Sequence, residues 1–321
     1  MPKKVFLSLK YPQLAIDMLH EAGFEITINE SNNPIPQEEL INICQDYDAL
    51  FSTGSNKIDA HFLERCKHLD IISQFAVGYD NIDVEAAKKQ GIVIGNAPGA
   101  MTDATADVAF GLMIMVSRKM IYMHKTIEKG QWNHFVPTAN LGFELRGKTL
   151  GVLGLGTIGM AMAKRCKAAY DMDILYHNRS RNQQAEETLN AQYVSFDELL
   201  KQSDVLSVHC NLTEETKGLF NKDAFIKMKS GAIFINTGRG GIHNEEDLID
   251  ALKNADIWGA GLDVTNPEPM QSDNPLLQME NVAVLPHIGS STVEARNEMA
   301  RMSAQNIIDF YKTGKIPYPV T

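Results

Sequence analysis

Residues 147–166 read GKTLGVLGLGTIGMAMAKRC. Thr149–Leu153 is a short apolar run of the kind that forms a buried parallel strand. GLGTIG follows without a spacer and places glycines at 154, 156 and 159. Beyond it, Ile158, Met162 and Cys166 recur at helical spacing, so the order is strand, glycine turn, helix. In that order each glycine has a task. Gly154 permits the tight turn, Gly156 lets the main chain approach a pyrophosphate, and Gly159 lets the helix pack closely on the strand. The free N–H groups of the turn, with Thr157 and Ile158 opening the helix, would hold the anion at the positive end of the helix dipole.

The chain has 321 residues, 44% of them hydrophobic, enough for a large core and for two domains. A net charge of −10 argues against non-specific binding to nucleic acid or an anionic membrane. Cys44, Cys66, Cys166 and Cys210 are scattered, with no CxxC and no His/Cys ligand spacing. Reduced thiols are therefore expected rather than disulfides, and no metal site. Lys3 and Lys4 precede an apolar stretch of only Val5–Leu9, too short for a signal-peptide core, and no later run is long enough to span a bilayer. These features predict a cytoplasmic protein.

The first hundred residues alternate apolar strands (5–9, 25–29, 49–53, 70–75, 91–95) with amphipathic helices (12–21, 36–44, 59–66, 84–89). That pattern predicts a small, open, mostly parallel α/β domain. Asn96–Gly99 marks a break. Asp103–Lys129 reads as one long helix with Val108, Leu112, Met115, Lys119 and Met123 near one face, suited either to core packing or to a dimer contact. From Thr149 a second βα series begins, with later strands at 173–177, 205–210, 232–238, 259–264 and 282–287. Ser291-Thr292-Val293-Glu294 has the spacing of a capping box opening a terminal helix to about residue 312.

Ligands of doubly wound sheets bind outside the carboxyl ends of the strands. Polar residues gather at those ends in the second series: His177–Ser180, His209–Thr213, Arg239, Asp263, Glu268 and His287. An arginine, a carboxylate and a histidine suit the reversible oxidation of a hydroxy acid. Arg239 would pair with the substrate carboxylate and carbonyl oxygen through its fork of donors. His287 would donate a proton to that oxygen as hydride arrives. Glu268, on the far ring nitrogen, would hold the tautomer and favour the imidazolium.

AVGYDNID (76–83), GLGTIG (154–159), FINTGRGG (234–241), GLDVTNPEP (261–269) and LPHIGSST (285–292) together resemble the D-isomer-specific 2-hydroxyacid dehydrogenases over nearly the whole chain. The resemblance implies catalytic roles for Arg239, Glu268 and His287. It further implies a carboxylate-binding backbone loop at Val77 and Gly78, and cofactor contacts at Thr105, Thr237 and Asp263. It also implies a two-domain α/β fold. A Rossmann-type doubly wound domain would span 99–289, and a smaller flavodoxin-like substrate domain would comprise 1–98 and 290–321, hinged to the first. A homodimer is expected.

VTNPEP, LPHIGSST and HNRS look closest to the glyoxylate and hydroxypyruvate reductase branch, implying reduction of a small 2-keto acid to the D-2-hydroxy acid. A 2-ketogluconate reductase, or a non-catalytic dinucleotide-sensing module, remains open. Trp132, His134 and Phe135 would either shape the substrate pocket or simply pack. Two departures stand out: Asn211 where proline is common, and His243-Asn244 in place of the more usual Val-Asp after the GRGG turn.

An NAD enzyme of this fold carries an acidic residue about 20 residues past the glycines. Here the second strand ends in His177-Asn178-Arg179-Ser180-Arg181, and Asp171 and Asp173 lie before it. Arg179, Ser180 and Arg181 can bind a 2′-phosphate that a carboxylate would repel. NADP(H) is therefore the expected cofactor, with NAD(H) possible, and Asn178 joins the cofactor-contacting set.

Overall fold

The alternating runs of the first hundred residues form β1 (Lys4–Leu7), α1 (Gln13–Glu21), β2 (Glu25–Ile28), α2 (Gln37–Cys44), β3 (Ala49–Ser52), α3 (Ala60–Arg65), β4 (Ile71–Gln74), α4 (Val84–Gln90) and β5 (Val93–Gly95). The structure, a computed structural model, describes residues 2–31 and 33–320. It divides into two compact units, Met1–Met101 with Ser291–Thr321, and Thr102–Ser290.

In the first unit all five strands are parallel, in the order β2-β1-β3-β4-β5, which is the flavodoxin-like order. β3 and β4 are buried at every position, as befits strands covered on both faces. The helix Val293–Thr313 belongs to this unit and is tied to β4, where the Ser73 hydroxyl donates to the Ser303 carbonyl at 2.8 Å. Its N-cap is Thr292, whose hydroxyl accepts from the Ala295 N–H. The cap is therefore one residue later than the Ser291 reading.

The second unit begins with α5 (Thr102–Ser117) and α6 (Met120–Glu128), followed by β6 (Thr149–Leu153), α7 (Thr157–Tyr170), β7 (Asp173–His177), α8 (Gln183–Leu189), β8 (Gln192–Tyr193), α9 (Phe196–Gln202), β9 (Val205–Val208), α10 (Lys222–Lys227), β10 (Ile233–Asn236), α11 (Glu245–Lys253), β11 (Gly259–Leu262) and β12 (Val282–Val284). Its seven parallel strands run β12-β11-β10-β9-β6-β7-β8. The chain winds outward from β6 first one way and then the other, giving the Rossmann order with one added strand and a switch point between β6 and β9. Separate apolar clusters cover the sheet. One gathers α5, α7 and inward residues such as Val152, Ile174 and Ile235; the other gathers α9, α10 and α11 around Phe220, Phe225 and Phe234. Those three rings lie 4.8 to 6.2 Å apart, centroid to centroid, and back the strand that leads to Arg239.

The single helix expected over Asp103–Lys129 is two. Lys119 is left-handed, with φ +53°, and separates α5 from α6. The cause is a tertiary hydrogen bond: the Phe143 N–H donates to the Ser117 carbonyl at 3.2 Å, so that carbonyl serves a distant segment. Lys119 is then held by Glu280 at 3.0 Å and by the Trp258 ring. The buried face also differs from the one expected. Thr105, Ala106, Ala109, Leu112, Met113 and Val116 line it, and no residue of α6 is buried.

Candidate active site

The glycine turn lies at the carboxyl end of β6, beside the switch point. Gly154 has φ +91°, and a Cβ there would sit 2.5 Å from the Cys210 nitrogen, so a side chain is excluded on both counts. Gly156 is the N-cap of α7 and faces open space. A Cβ on Gly159 would meet the Gly154 carbonyl oxygen at 2.6 Å. Thr157 and Ile158 form the first turn of α7. The arrangement leaves the main chain before a long helix approachable by an anion.

Two asparagines tie this turn to the segment after β7. The Leu155 N–H donates to Asn178 Oδ1 at 2.6 Å, and Asn182 Nδ2 donates to the Leu155 carbonyl at 2.9 Å. Asn178, assigned from sequence to the cofactor, thus uses its side chain on the glycine turn. Arg179 and Ser180 are exposed beyond it. Arg181 is differently placed: its guanidinium donates two hydrogen bonds to Glu186, at 2.9 and 2.8 Å, and the same carboxylate accepts the Tyr176 hydroxyl. Sequence reading missed Asn182 and Glu186, because Asn182 reads simply as the N-cap it also is.

At the end of β9 the His209 ring lies between two hydroxyls, Ser207 at 2.8 Å and Thr237 at 3.2 Å. Burial lowers the His209 pKa to about 4, so the ring is neutral at physiological pH. Thr105, at the start of α5, donates its hydroxyl to the Gly289 carbonyl at 2.9 Å. Both threonines anchor neighbouring loops.

Arg239, Glu268 and His287 come from loops after β10, β11 and β12. A Cβ on Gly240 would lie 1.9 Å from the Thr265 carbonyl oxygen, so glycine lets the first two loops meet. Glu268 Oε1 and His287 Nδ1 are 2.5 Å apart. Burial works to raise the Glu268 pKa, but the hydrogen bond and charge of His287, with the nearby Arg239 charge, together hold it below its ordinary value. His287 is left-handed, with φ +53°, a conformation that costs a non-glycine residue on the order of 1–3 kcal/mol.

Asp263 over-determines that conformation. Its carboxylate, 1% exposed, accepts the Ile288 N–H at 2.8 Å and the Gly289 N–H at 2.7 Å. Burial pushes its pKa up, and those two bonds offset part of the rise. Asp263, Glu268 and His287 share a cavity of about 400 Å³ with Met270, Leu277 and Leu285. Among the described residues no group of three or more His, Cys, Asp or Glu could hold a metal ion, and no helix is long and apolar enough to cross a membrane.

Val77 and Gly78 lie in the other unit, in the turn after β4. The Val77 carbonyl accepts from Asn96 Nδ2 at 2.8 Å. Asn236, fully buried at the end of β10, was not singled out from sequence. A polar residue inside the apolar run AIFINTG was the available signal.

Residues 110–289 match the family model described as D-isomer specific 2-hydroxyacid dehydrogenase, NAD binding domain. The glyoxylate reductase of Thermococcus litoralis is 43% identical over 321 residues, covering 99% of this chain and 96% of that protein. A glyoxylate reductase structure from Paecilomyes thermophila superposes with a TM-score of 0.89 at 33% identity, covering 99% of this chain and 98% of that one. The NADPH-dependent glyoxylate/hydroxypyruvate reductase of Sinorhizobium meliloti, in complex with NADP and malonate, superposes with a TM-score of 0.85 at 30% identity, covering 100% and 97%.

Proposed function

The chain belongs to the D-isomer specific 2-hydroxyacid dehydrogenase family and is an NAD(P)-dependent oxidoreductase; within that family we propose that it reduces a small 2-keto acid, glyoxylate or hydroxypyruvate, to the D-2-hydroxy acid, with NADPH preferred. The observation that carries the reading is the 2.5 Å contact between Glu268 and His287, with the Arg239 charge acting on the same carboxylate. That grouping supplies a carboxylate binder, a proton donor and an anchor for the donor.

The residues fit a nicotinamide dinucleotide. A side chain is excluded at Gly154, Gly156 opens α7 without obstruction, and the segment after β7 presents Arg179 and Ser180 with no acidic residue between His177 and Asn182. The turn 154–159 would hold the pyrophosphate, and Arg179 and Ser180 the 2′-phosphate. Thr105, Thr237 and Asp263 keep the surrounding loops in place. When bound, the dinucleotide supplies the hydride. Arg239 binds the substrate carboxylate and polarises the keto oxygen with its remaining donors. His287 delivers a proton from Nε2 to that oxygen, while Glu268 accepts from Nδ1–H and stabilises the charged ring. Asp263, through Ile288 and Gly289, keeps the His287 backbone where the ring can do this.

A homodimer accompanies the reading. Trp132, Phe135 and Leu141 are 72%, 84% and 63% exposed, an apolar segment suited to a second copy. A steady-state screen of NADPH and NADH against glyoxylate, hydroxypyruvate, pyruvate and 2-ketogluconate tests the function. Turnover of glyoxylate or hydroxypyruvate at roughly 1 s⁻¹ or more is expected. Tight NADPH binding with no turnover of any of the four would instead identify a dinucleotide sensor.

A further inference from the structure

Behind the turn that presents Arg239 stands a histidine to which no role has been given. Asn236 spends its amide on that turn: Oδ1 accepts the Gly238 N–H at 3.0 Å, and Nδ2 donates to the Arg239 carbonyl at 2.9 Å. These two main-chain partners fix the orientation of the amide, because reversing it would set donor against donor and acceptor against acceptor. The same Nδ2 lies 3.1 Å from His243 Nδ1. With the amide oriented, Nδ1 is the acceptor and the neutral ring carries its proton on Nε2.

His243 Nε2 is buried and has no hydrogen-bond partner among the described residues. Valine, the more usual residue here in the family the chain resembles, would leave no such donor. It would also leave Asn236 with nothing to receive its second hydrogen.

The backbone around the ring is fixed from several sides. The Phe220 N–H donates to the Ile242 carbonyl, the Asn244 N–H to the Phe220 carbonyl, and the His243 N–H to the Gly240 carbonyl. The ring stands edge-on to Phe234 at 5.8 Å. A rigidly placed acceptor thus meets an amide whose other bonds all go to the arginine turn.

We infer that His243 is a positioning residue, which through Asn236 fixes the Gly238–Arg239 turn and so the direction in which Arg239 presents its guanidinium to the keto acid. The inference deepens the proposed reductase reading and rests on it for what Arg239 binds; the mechanical link from ring to turn stands without it.

The test compares the full-length parent with His243→Val, which removes the acceptor, and His243→Gln, whose Oε1 can replace it. Keto-acid KM and kcat, the NADPH dissociation constant, the melting temperature and amide hydrogen exchange over residues 237–241 are measured for each. The valine variant should raise glyoxylate KM about three- to tenfold, the size of one neutral hydrogen bond. Its kcat should change less, its NADPH affinity should not change, and exchange at Gly238 and Arg239 should quicken. The glutamine variant should restore both KM and exchange.

A valine variant with KM within twofold of the parent and unchanged exchange would overturn the inference. So would a glutamine variant as impaired as valine at a parental melting temperature. If the valine protein does not fold, the glutamine variant alone decides: parental KM and exchange support the inference, and altered values at a parental melting temperature refute it. If the parent reduces no 2-keto acid, the reductase reading falls, while the exchange comparison still decides whether His243 holds the turn.

Discussion

Nδ1 of His287 and Oε1 of Glu268 stand 2.5 Å apart although 19 positions separate them in the chain. The contact joins the loop after β12 to the loop after β11, and both side chains remain 42% exposed. A ring held on one nitrogen and open on the other is arranged to deliver a proton in a single direction. Glu268→Gln removes the anionic partner, so kcat for keto-acid reduction should fall about 10- to 100-fold, matching the roughly 1.5–3 kcal/mol of a charge-assisted hydrogen bond. NADPH affinity, measured by fluorescence titration, should stay at the parental value, and a matching loss of affinity would show that the pair serves the dinucleotide instead. The pH dependence has a definite sign. The folded Glu268 pKa lies below its ordinary 4.5, so the stability contributed by ionising this carboxylate is present above that value and is lost as pH falls through the lowered one.

The two arginines after β7 should differ. Arg181 is held by both oxygens of Glu186, whereas Arg179 is exposed beyond Asn178. Arg179→Ala should lower kcat/KM for NADPH by about one to two decades and leave NADH nearly unchanged. Arg181→Ala should discriminate less. Equal losses from the two variants would place the 2′-phosphate between both guanidiniums.

Asp263 carries a burial cost and delivers two hydrogen bonds to the backbone after His287. Because its folded pKa is raised, ionisation in the folded state opposes stability at neutral pH. Asp263→Asn removes the charge but can accept only one of the two N–H bonds well. The melting temperature should therefore not fall, while kcat drops about tenfold as the His287 loop loosens. A melting temperature several degrees lower would mean that the two bonds outweigh the burial cost.

His243 titrates near 6.5 when unfolded, and burial lowers it to about 4 in the fold. The unfolded chain therefore binds the extra proton first as pH falls. The neutral ring's contribution is complete above about 6.5 and is lost progressively toward 4, a change on the order of 3 kcal/mol for this one group. Urea-unfolding midpoints should decline across that interval, and less steeply in His243→Val. An identical decline in the variant would assign the acid sensitivity to other groups, His209 among them.

Much was legible from local pattern. A partly β-branched apolar run followed by glycines at 154, 156 and 159 determines strand, turn and helix, because Gly154 and Gly159 answer close approaches of neighbouring main chain while Gly156 leaves the start of the helix open. Repeated apolar runs separated by amphipathic segments determine two parallel α/β units, since burial on both faces requires such runs. The placement of Arg239, Glu268 and His287 after successive strands followed from the same reading.

Only the tertiary structure decided which polar groups are already engaged. Ser117 ends its helix because Phe143 takes its carbonyl, Arg181 is claimed by Glu186, and Thr105 reaches Gly289 across 184 positions of sequence. Asn236 and His243 meet behind Arg239 only because β10 and the segment following Gly240 fold back on each other. Periodicity records which face of an element is buried. Which donor finds which acceptor depends on how distant main chains approach, and that is settled when the layers pack.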